Sequence, residues 1–268
     1  MIISIIPLTG MSQTDVNNDL KPFYSFYLYE KLNYRWSMDL FTLVAMKIAS
    51  QDFWLAQFSL GANYKINRFY EISVGYGQAH YNYGNENWWK SHYPGISPSG
   101  FKTAIFHTAS MRIKRDDNIG KKLKLSNRFI IQQYFPGFEK YKTRLQYSAK
   151  FSYRRSDLPI RLKPFFQGAI YYYLNGIPIN YYDTNLNIVD NAAPNGLHRY
   201  RIKIGASFNP IEANRNLALV LYFAFNREFN GSGNDINVMR PSQSGKAIFT
   251  SYQFNNYNIL GLQVNYFL

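Results

Sequence analysis

The chain contains no cysteine. Disulfides, a thiolate nucleophile, a cysteine-ligated zinc site and a lipoprotein anchor are therefore excluded. It also lacks any long apolar run. The longest, such as Leu43 to Met46, fall far short of the about 20 residues that a spanning helix needs, which excludes a helical membrane protein. No segment keeps a period of 3.6 over about ten residues, so amphipathic helices are not expected. Acids are scarce, with 16 Asp and Glu against 30 Lys and Arg and a net charge of +14. Such a balance ordinarily suggests nucleic acid, unless the placement of the charges says otherwise.

The residue types that carry catalysis are also thin. Of the four histidines, His80, His92 and His198 have no neighbouring nucleophile. His107 and Ser110 are three apart, which places them on opposite faces of a strand. The His-x-Ser-Asn type of signature used by outer-membrane phospholipases and lipid A deacylases is absent. His80 and His92, with Glu86 between them, match no standard metal spacing. No glycine-rich loop precedes a helix, and Gly75 and Gly77 fall within a strand pattern, where they would ease curvature. Neither an enzyme nor a metal or cofactor is expected.

What the chain has in quantity is aromatic residues, 18% of the total, with 24 Tyr and 21 Phe. That is high for a soluble domain and common where Tyr and Trp anchor a membrane interface. Mean hydropathy is nevertheless −0.33, because polar and apolar residues alternate. In Tyr257 to Leu268, Leu260, Leu262, Val264, Tyr266 and Leu268 alternate with Gly261, Gln263, Asn265 and Phe267. In 142–154, Leu145, Tyr147, Ala149, Phe151 and Tyr153 alternate with Arg144, Gln146, Ser148, Lys150, Ser152 and Arg154. A period of two means a strand with one apolar and one polar face.

The same pattern recurs along the chain. It predicts strands at about 23–32, 35–48, 53–64, 70–77, 101–115, 123–131, 142–154, 161–174, 199–209, 217–228 and 257–268. Strands of about 12 to 15 residues exceed the 5 or 6 usual in soluble sheets and suit tilted strands that cross a bilayer. Short turns alternate with long loops at Gly84 to Gly100, Asn175 to Leu197 and Asn230 to Gly245, the habit of bacterial outer-membrane barrels. The expected fold is an all-β transmembrane antiparallel up-and-down barrel. The direct count is eleven strands. Single-chain bacterial barrels have even numbers, so the expectation is twelve, with Lys246 to Phe254 as the extra strand. Ten is the alternative, with 23–32 misassigned. Residues 1–12 read as a signal-peptide remnant, apolar and then small, with cleavage expected after Ser12. Residues 13–268 would form the barrel.

Fourteen basic residues fall on the polar face: Arg112, Lys114, Lys122, Lys124, Arg128, Lys142, Arg144, Lys150, Arg154, Arg161, Lys163, Arg199, Arg201 and Lys203. Few acids share it, mainly Asp39, Glu71 and Glu228. A charge facing lipid costs about 2–4 kcal/mol at the midplane, so these residues belong inside or at the rims. Nucleic acid is thereby ruled out as a partner, because the charges are not on a convex surface. The residues expected to line the lumen and contact solute are Arg128, Lys142, Arg144, Lys150, Arg199, Arg201 and Lys203. Expected aromatic contacts of the external loops are Trp88, Trp89, Tyr181 and Tyr182.

The runs Leu125-Ser126-Asn127-Arg128-Phe129, Arg144-Leu145-Gln146-Tyr147 and Lys163-Pro164-Phe165, with the closing Leu260 to Phe267, resemble a family of small Bacteroidota outer-membrane barrels that has no established activity. The resemblance implies a fold and a bacterial outer-membrane location, and no chemistry. The terminal Asn265-Tyr266-Phe267-Leu268 resembles the signal read by the outer-membrane assembly machinery, with Leu268 where Phe is usual. Expected partners are therefore outer-membrane lipid and lipopolysaccharide, and the assembly machinery through Tyr257 to Leu268.

The function this composition favours is a small passive channel. A lumen lined by Lys and Arg attracts anions and repels cations. The alternative is a non-conducting barrel, its interior filled and its basic residues paired. It would act as a scaffold or accessory to an envelope protein partner, through Trp88, Trp89 and the loop Asn175 to Leu197.

Overall fold

The computed structural model describes residues 20–46, 53–82, 103–138, 141–154, 158–176, 179–182, 188–192, 196–211, 214, 216–228, 240–241, 247–248 and 256–268. Residues 1–12, Trp88 and Trp89 lie outside them. The elements are β1 (Leu20–Lys31), β2 (Trp36–Met46), β3 (Phe53–Lys65), β4 (Tyr70–Asn82), β5 (Thr103–Ile119), β6 (Leu123–Phe138), β7 (Tyr141–Tyr153), β8 (Lys163–Leu174), β9 (Ile179–Tyr182), β10 (Ile188–Ala192), β11 (Gly196–Phe208), β12 (Leu217–Glu228), β13 (Arg240–Pro241), β14 (Ala247–Ile248) and β15 (Tyr257–Phe267). One 3₁₀ turn, Pro159–Arg161, precedes β8.

Eleven of these strands close into one barrel, in the order β1-β15-β12-β11-β8-β7-β6-β5-β4-β3-β2. Each sequential neighbour pairs antiparallel, but β1 pairs with β15 in parallel over ten residue pairs, from Leu20↔Asn258 to Tyr29↔Phe267. The parallel closure follows from the count. In a meander alternate strands run in opposite directions, so the first and the eleventh run the same way. The expected twelve strands, and the alternative ten, are thus both corrected to eleven. The segment offered as a twelfth contains β14, which pairs with β13 in a separate two-stranded sheet. The predicted first strand is a full member of the barrel. The even-number habit assumes that both chain ends lie at one rim. Here β1 begins at the rim opposite the one where β15 ends.

The two rims differ. At one, the connections are 32–35, 66–69, 120–122, 154–162 and 209–216. Two of these are tight because an asparagine side chain replaces a backbone acceptor. Asn33 Oδ1 accepts from the amides of Arg35 and Trp36, each at 2.9 Å. Asn67 Oδ1 accepts from those of Phe69 and Tyr70, at 2.8 and 2.9 Å. Gly120, at φ 61°, supplies the left-handed residue of a third. This turn is tighter than the gap between the predicted strands 101–115 and 123–131. β5 runs on to Ile119 because Asp116 is held in register opposite Ser126, whose hydroxyl donates to its carboxylate at 2.6 Å. At the opposite rim the connections are 47–52, 83–102, 139–140, 175–195 and 229–256, three of them the longest in the barrel, and β9 and β10 form a small hairpin in 175–195.

The strands form where alternation is strongest, and closure gives the two faces different environments. Side chains on the concave face converge, and those on the convex face diverge. Arg112 of β5 reaches Asp39 of β2, three strands away, at 3.2 Å, which only the concave side allows. Parity then assigns the rest. Tyr24, Phe26, Val44, Phe58, Leu60, Val74, Met111, Ile131, Phe151, Ile170, Ile204, Leu221 and Leu260 are all exposed on the convex face. The apolar belt thus runs around the whole circumference.

The concave face is less uniformly polar than alternation implies. Phe23, Leu43, Ala45, Val220, Tyr222, Ala224, Tyr257 and Ile259 form a buried cluster against the seam-side wall, with Leu55, Ala79 and Phe165. Gly261 makes room for this cluster, since a Cβ there would sit 2.0 Å from the Tyr222 ring.

Candidate functional site

Eleven strands make a barrel wider than the eight at which side chains just fill the interior. What occupies the lumen therefore depends on the inward positions. Beside the buried apolar cluster, they fall into three sectors.

In the first sector every acid is engaged. Asp39 is 9% exposed and accepts from Arg112 at 3.2 Å and from Asn63 Nδ2 at 2.9 Å, with the Tyr27 hydroxyl at 3.5 Å. Arg112 also donates to Asn63 Oδ1 at 2.9 Å and to Ser73 Oγ at 3.2 Å. A Cβ at Gly61 would lie 2.6 Å from Asp39 Oδ1, so this glycine is the space the carboxylate occupies. Toward the turn rim, Lys114 bridges Glu71 at 3.9 Å and Asp116 at 3.1 Å, and Lys124 reaches Asp116 at 2.8 Å. At the other rim Glu228 is buried between Arg199 and His198, whose ring also packs on Tyr173 at 4.4 Å.

The second sector holds cations without acids. Arg128 (β6), Lys150 (β7), Arg201 and Lys203 (β11) all face inward and are half-buried. Among the described residues no carboxylate lies within ion-pair distance of these four. Aromatic faces support them instead. Lys150 Nζ is 4.0 Å from the Phe165 ring centroid and Lys203 Nζ is 3.9 Å from that of Tyr222. Arg201 lies 5.6 Å from the Tyr171 ring and donates from Nε to Asn226 Oδ1 at 3.2 Å. A ring face attracts a cation through its quadrupole and leaves the N–H groups free to donate elsewhere. Arg144 (β7) sits closer to the long-connection rim, between Tyr134 and Tyr171 at 5.4 and 5.5 Å, and donates from Nε to Gln132 Oε1 at 3.0 Å.

The third sector is a wall of small side chains. Ser59, Gly61, Ser73, Gly75, Gly77, Thr108 and Ser110 line the concave face of β3, β4 and β5. A Cβ at Gly75 would be 3.0 Å from Leu60 O and Ser110 Oγ, and one at Gly77 would be 2.8 Å from Thr108 Oγ1. These glycines allow close approach of side chains within the wall, beyond easing curvature. Around the ring β4 lies five strands from β11 by one path and six by the other. The small wall therefore faces the cation-bearing wall across the lumen.

No protein-family model and no curated protein matches the chain.

Of the residues expected to line the lumen, Arg128, Arg144, Lys150, Arg199, Arg201 and Lys203 occupy inward positions on β6, β7 and β11. Arg199 is tied to Glu228. Lys142 is exposed near the long-connection end of β7. Tyr181 and Tyr182 lie in β9 of the small hairpin. His107 points outward, its Nδ1 2.6 Å from the Tyr76 hydroxyl, whereas Ser110 points inward. Sequence reading missed Asn63, Asn226 and Gln167 as lumen residues. The parity that marked the neighbouring Lys and Arg also marks these three.

Proposed function

We propose that the protein is an outer-membrane β-barrel whose lumen forms a small passive channel favouring anionic or polar solutes. The observation that carries this reading is the acid-free arc of Arg128, Lys150, Arg201 and Lys203 opposite a wall of serine and glycine. Cations on one side and small side chains on the other leave an electropositive gap.

Insertion in a bilayer is supported by the convex face. Contiguous exposed apolar patches on soluble monomers seldom exceed a few hundred Å², and here the apolar belt has no break. At the turn rim Trp36 and Tyr64 pack at 4.8 Å, Arg35 donates to the Tyr64 hydroxyl at 2.9 Å, and Arg68 and Arg115 lie over Phe69 and Tyr70. Such a girdle of aromatics with basic residues suits a headgroup region. The turn rim would face the periplasm and the long connections the exterior. Lipid and lipopolysaccharide would cover the belt. β15 would carry the signal for the assembly machinery.

A second reading, the non-conducting scaffold or accessory barrel with an envelope protein partner, is favoured by the buried cluster of Phe23, Leu43, Tyr222 and Ile259 that fills the seam side of the lumen. Planar bilayers in a salt gradient separate the two. The channel reading expects single-channel steps and a reversal potential set by chloride over potassium, shifted toward potassium by Lys150→Glu with Lys203→Glu. Absence of steps favours the filled barrel, and a cation-selective wild type rejects the basic-lumen mechanism.

A further inference from the structure

The acid-free cations are arranged in register as well as clustered by sign. Lys150 and Lys203 share one rung, with Gln167 between them, since both residues pair with Gln167. Arg128 and Arg201 share the next rung, with Ser148 and Ala169 between them. Lysines two strands apart stand about 10 Å apart at the backbone, and the arginines three strands apart about 14 Å. Both spans are short enough for long side chains on a concave wall to converge. Ser148 and Ala169, the two positions between the arginines on this rung, carry small side chains.

Four like charges on two adjacent rungs repel one another, and among the described residues the inward acids Asp39, Glu71, Asp116 and Glu228 are committed to Arg112, Lys114, Lys124, Arg199 and His198. A multiply charged anion would offset this repulsion. Two planar guanidinium forks suit the oxygens of a tetrahedral oxyanion in bidentate fashion, two ammonium groups add point charges, and the Gln167 amide adds a neutral donor. The rings of Phe165 and Tyr222 lie on one side of the two ammonium groups, at 4.0 and 3.9 Å, leaving their remaining N–H groups for a ligand.

We propose that Arg128, Lys150, Arg201 and Lys203, with Gln167, form a binding site for phosphate or the phosphate group of a small phosphorylated solute. The site rests on the reading that solute enters the lumen. The test is calorimetric titration of the full chain, refolded in neutral detergent, with inorganic phosphate at constant ionic strength set by chloride. Saturable binding at one site is expected. Lys150→Gln with Lys203→Gln should weaken it tenfold or more, as expected from loss of charge-assisted contacts of about 1.5–3 kcal/mol each, while Lys114→Gln should leave it unchanged. Gln167→Ala, which alters no charge, should weaken it by a smaller factor and guards against a double variant that does not fold. Equal binding by wild type and both site variants, or no saturable binding, overturns the site. Titration does not require conduction. Bilayer steps without phosphate binding would remove the site and leave the channel, whereas phosphate binding without steps would keep the site and remove the channel.

Discussion

At the scale of single residues, the lumen is governed by which charges have partners. Asp39 is the clearest case, a buried carboxylate held by Arg112, Asn63 and Tyr27, with Gly61 vacating the space beside it. Removing one partner of a buried pair leaves the other charge unmatched, which is worse than removing both. Asp39→Ala should therefore destabilise the refolded barrel by about 3 kcal/mol, at the lower end of that effect because Arg112 keeps some solvent contact. Asp39→Ala with Arg112→Met should recover most of the loss. Urea unfolding followed by the mobility shift of folded barrels on unheated gels measures both, and equal losses in the single and double variants would refute the coupling. Sequence alone marked Asp39 and Arg112 as inward by parity. It could not pair them, because they lie 73 positions apart on strands that are not neighbours. The division of the basic face into a paired and an acid-free sector was illegible for the same reason. It depends on closure, which brings β2 within reach of β5.

At the scale of elements, the period of two was legible wherever the two faces differ in polarity, as in β7, β11 and β15. It blurred where both faces are apolar. Phe23 beside Tyr24, Leu43 beside Val44, and Val220 beside Leu221 each place one side chain in the seam-side cluster and the next on the convex belt. The doubt about β1 came instead from the even strand number usual in bacterial barrels. The parallel seam is the element that breaks that rule. Its hydrogen bonds are evenly spaced but slanted, and slightly weaker per residue than in antiparallel pairs. The contacts at its ends reinforce it. Tyr29 meets the Phe267 ring edge-on at 6.1 Å, the Leu268 amide donates to Tyr29 O at 2.8 Å, and Lys21 lies 4.7 Å from the Tyr257 ring. The register pairs Phe26 with Val264 on the convex face. In a chain with no native cysteine, Phe26→Cys with Val264→Cys should form a disulfide on mild oxidation. Phe26→Cys with Leu260→Cys should not, since a four-residue offset is about 13 Å along the strand, beyond disulfide reach. Cross-linking of the second pair, or failure of the first in a folded barrel, would reject the parallel register.

At the scale of the whole molecule, the polarity of the barrel is inverted relative to a soluble one. Large apolar side chains stand on the convex face and most charges on the concave face. Among the described residues, Arg112, Arg128, Arg144, Lys150, Arg201 and Lys203 stand on the concave face, and Arg35, Arg68 and Arg115 lie at the turn rim. This inversion yields a test that does not depend on conductance. Leu60 lies near the middle of β3 and is 45% exposed on the convex face, while Ser59 beside it faces the lumen. If the convex face meets hydrocarbon, Leu60→Arg should cost about 2–4 kcal/mol of folding free energy in phospholipid vesicles, as Arg does near the midplane. If that face meets water, the same change is an ordinary surface substitution and should stay within about 0.5 kcal/mol. Ser59→Asn, with no new charge and a small increase in volume on the open wall, controls for disturbance of β3 itself. Denaturant titration of tryptophan fluorescence in vesicles reads both variants against the wild type. A large loss for Leu60→Arg with little for Ser59→Asn is the signature of a belt in lipid, and comparable small losses for both would remove the membrane from the account.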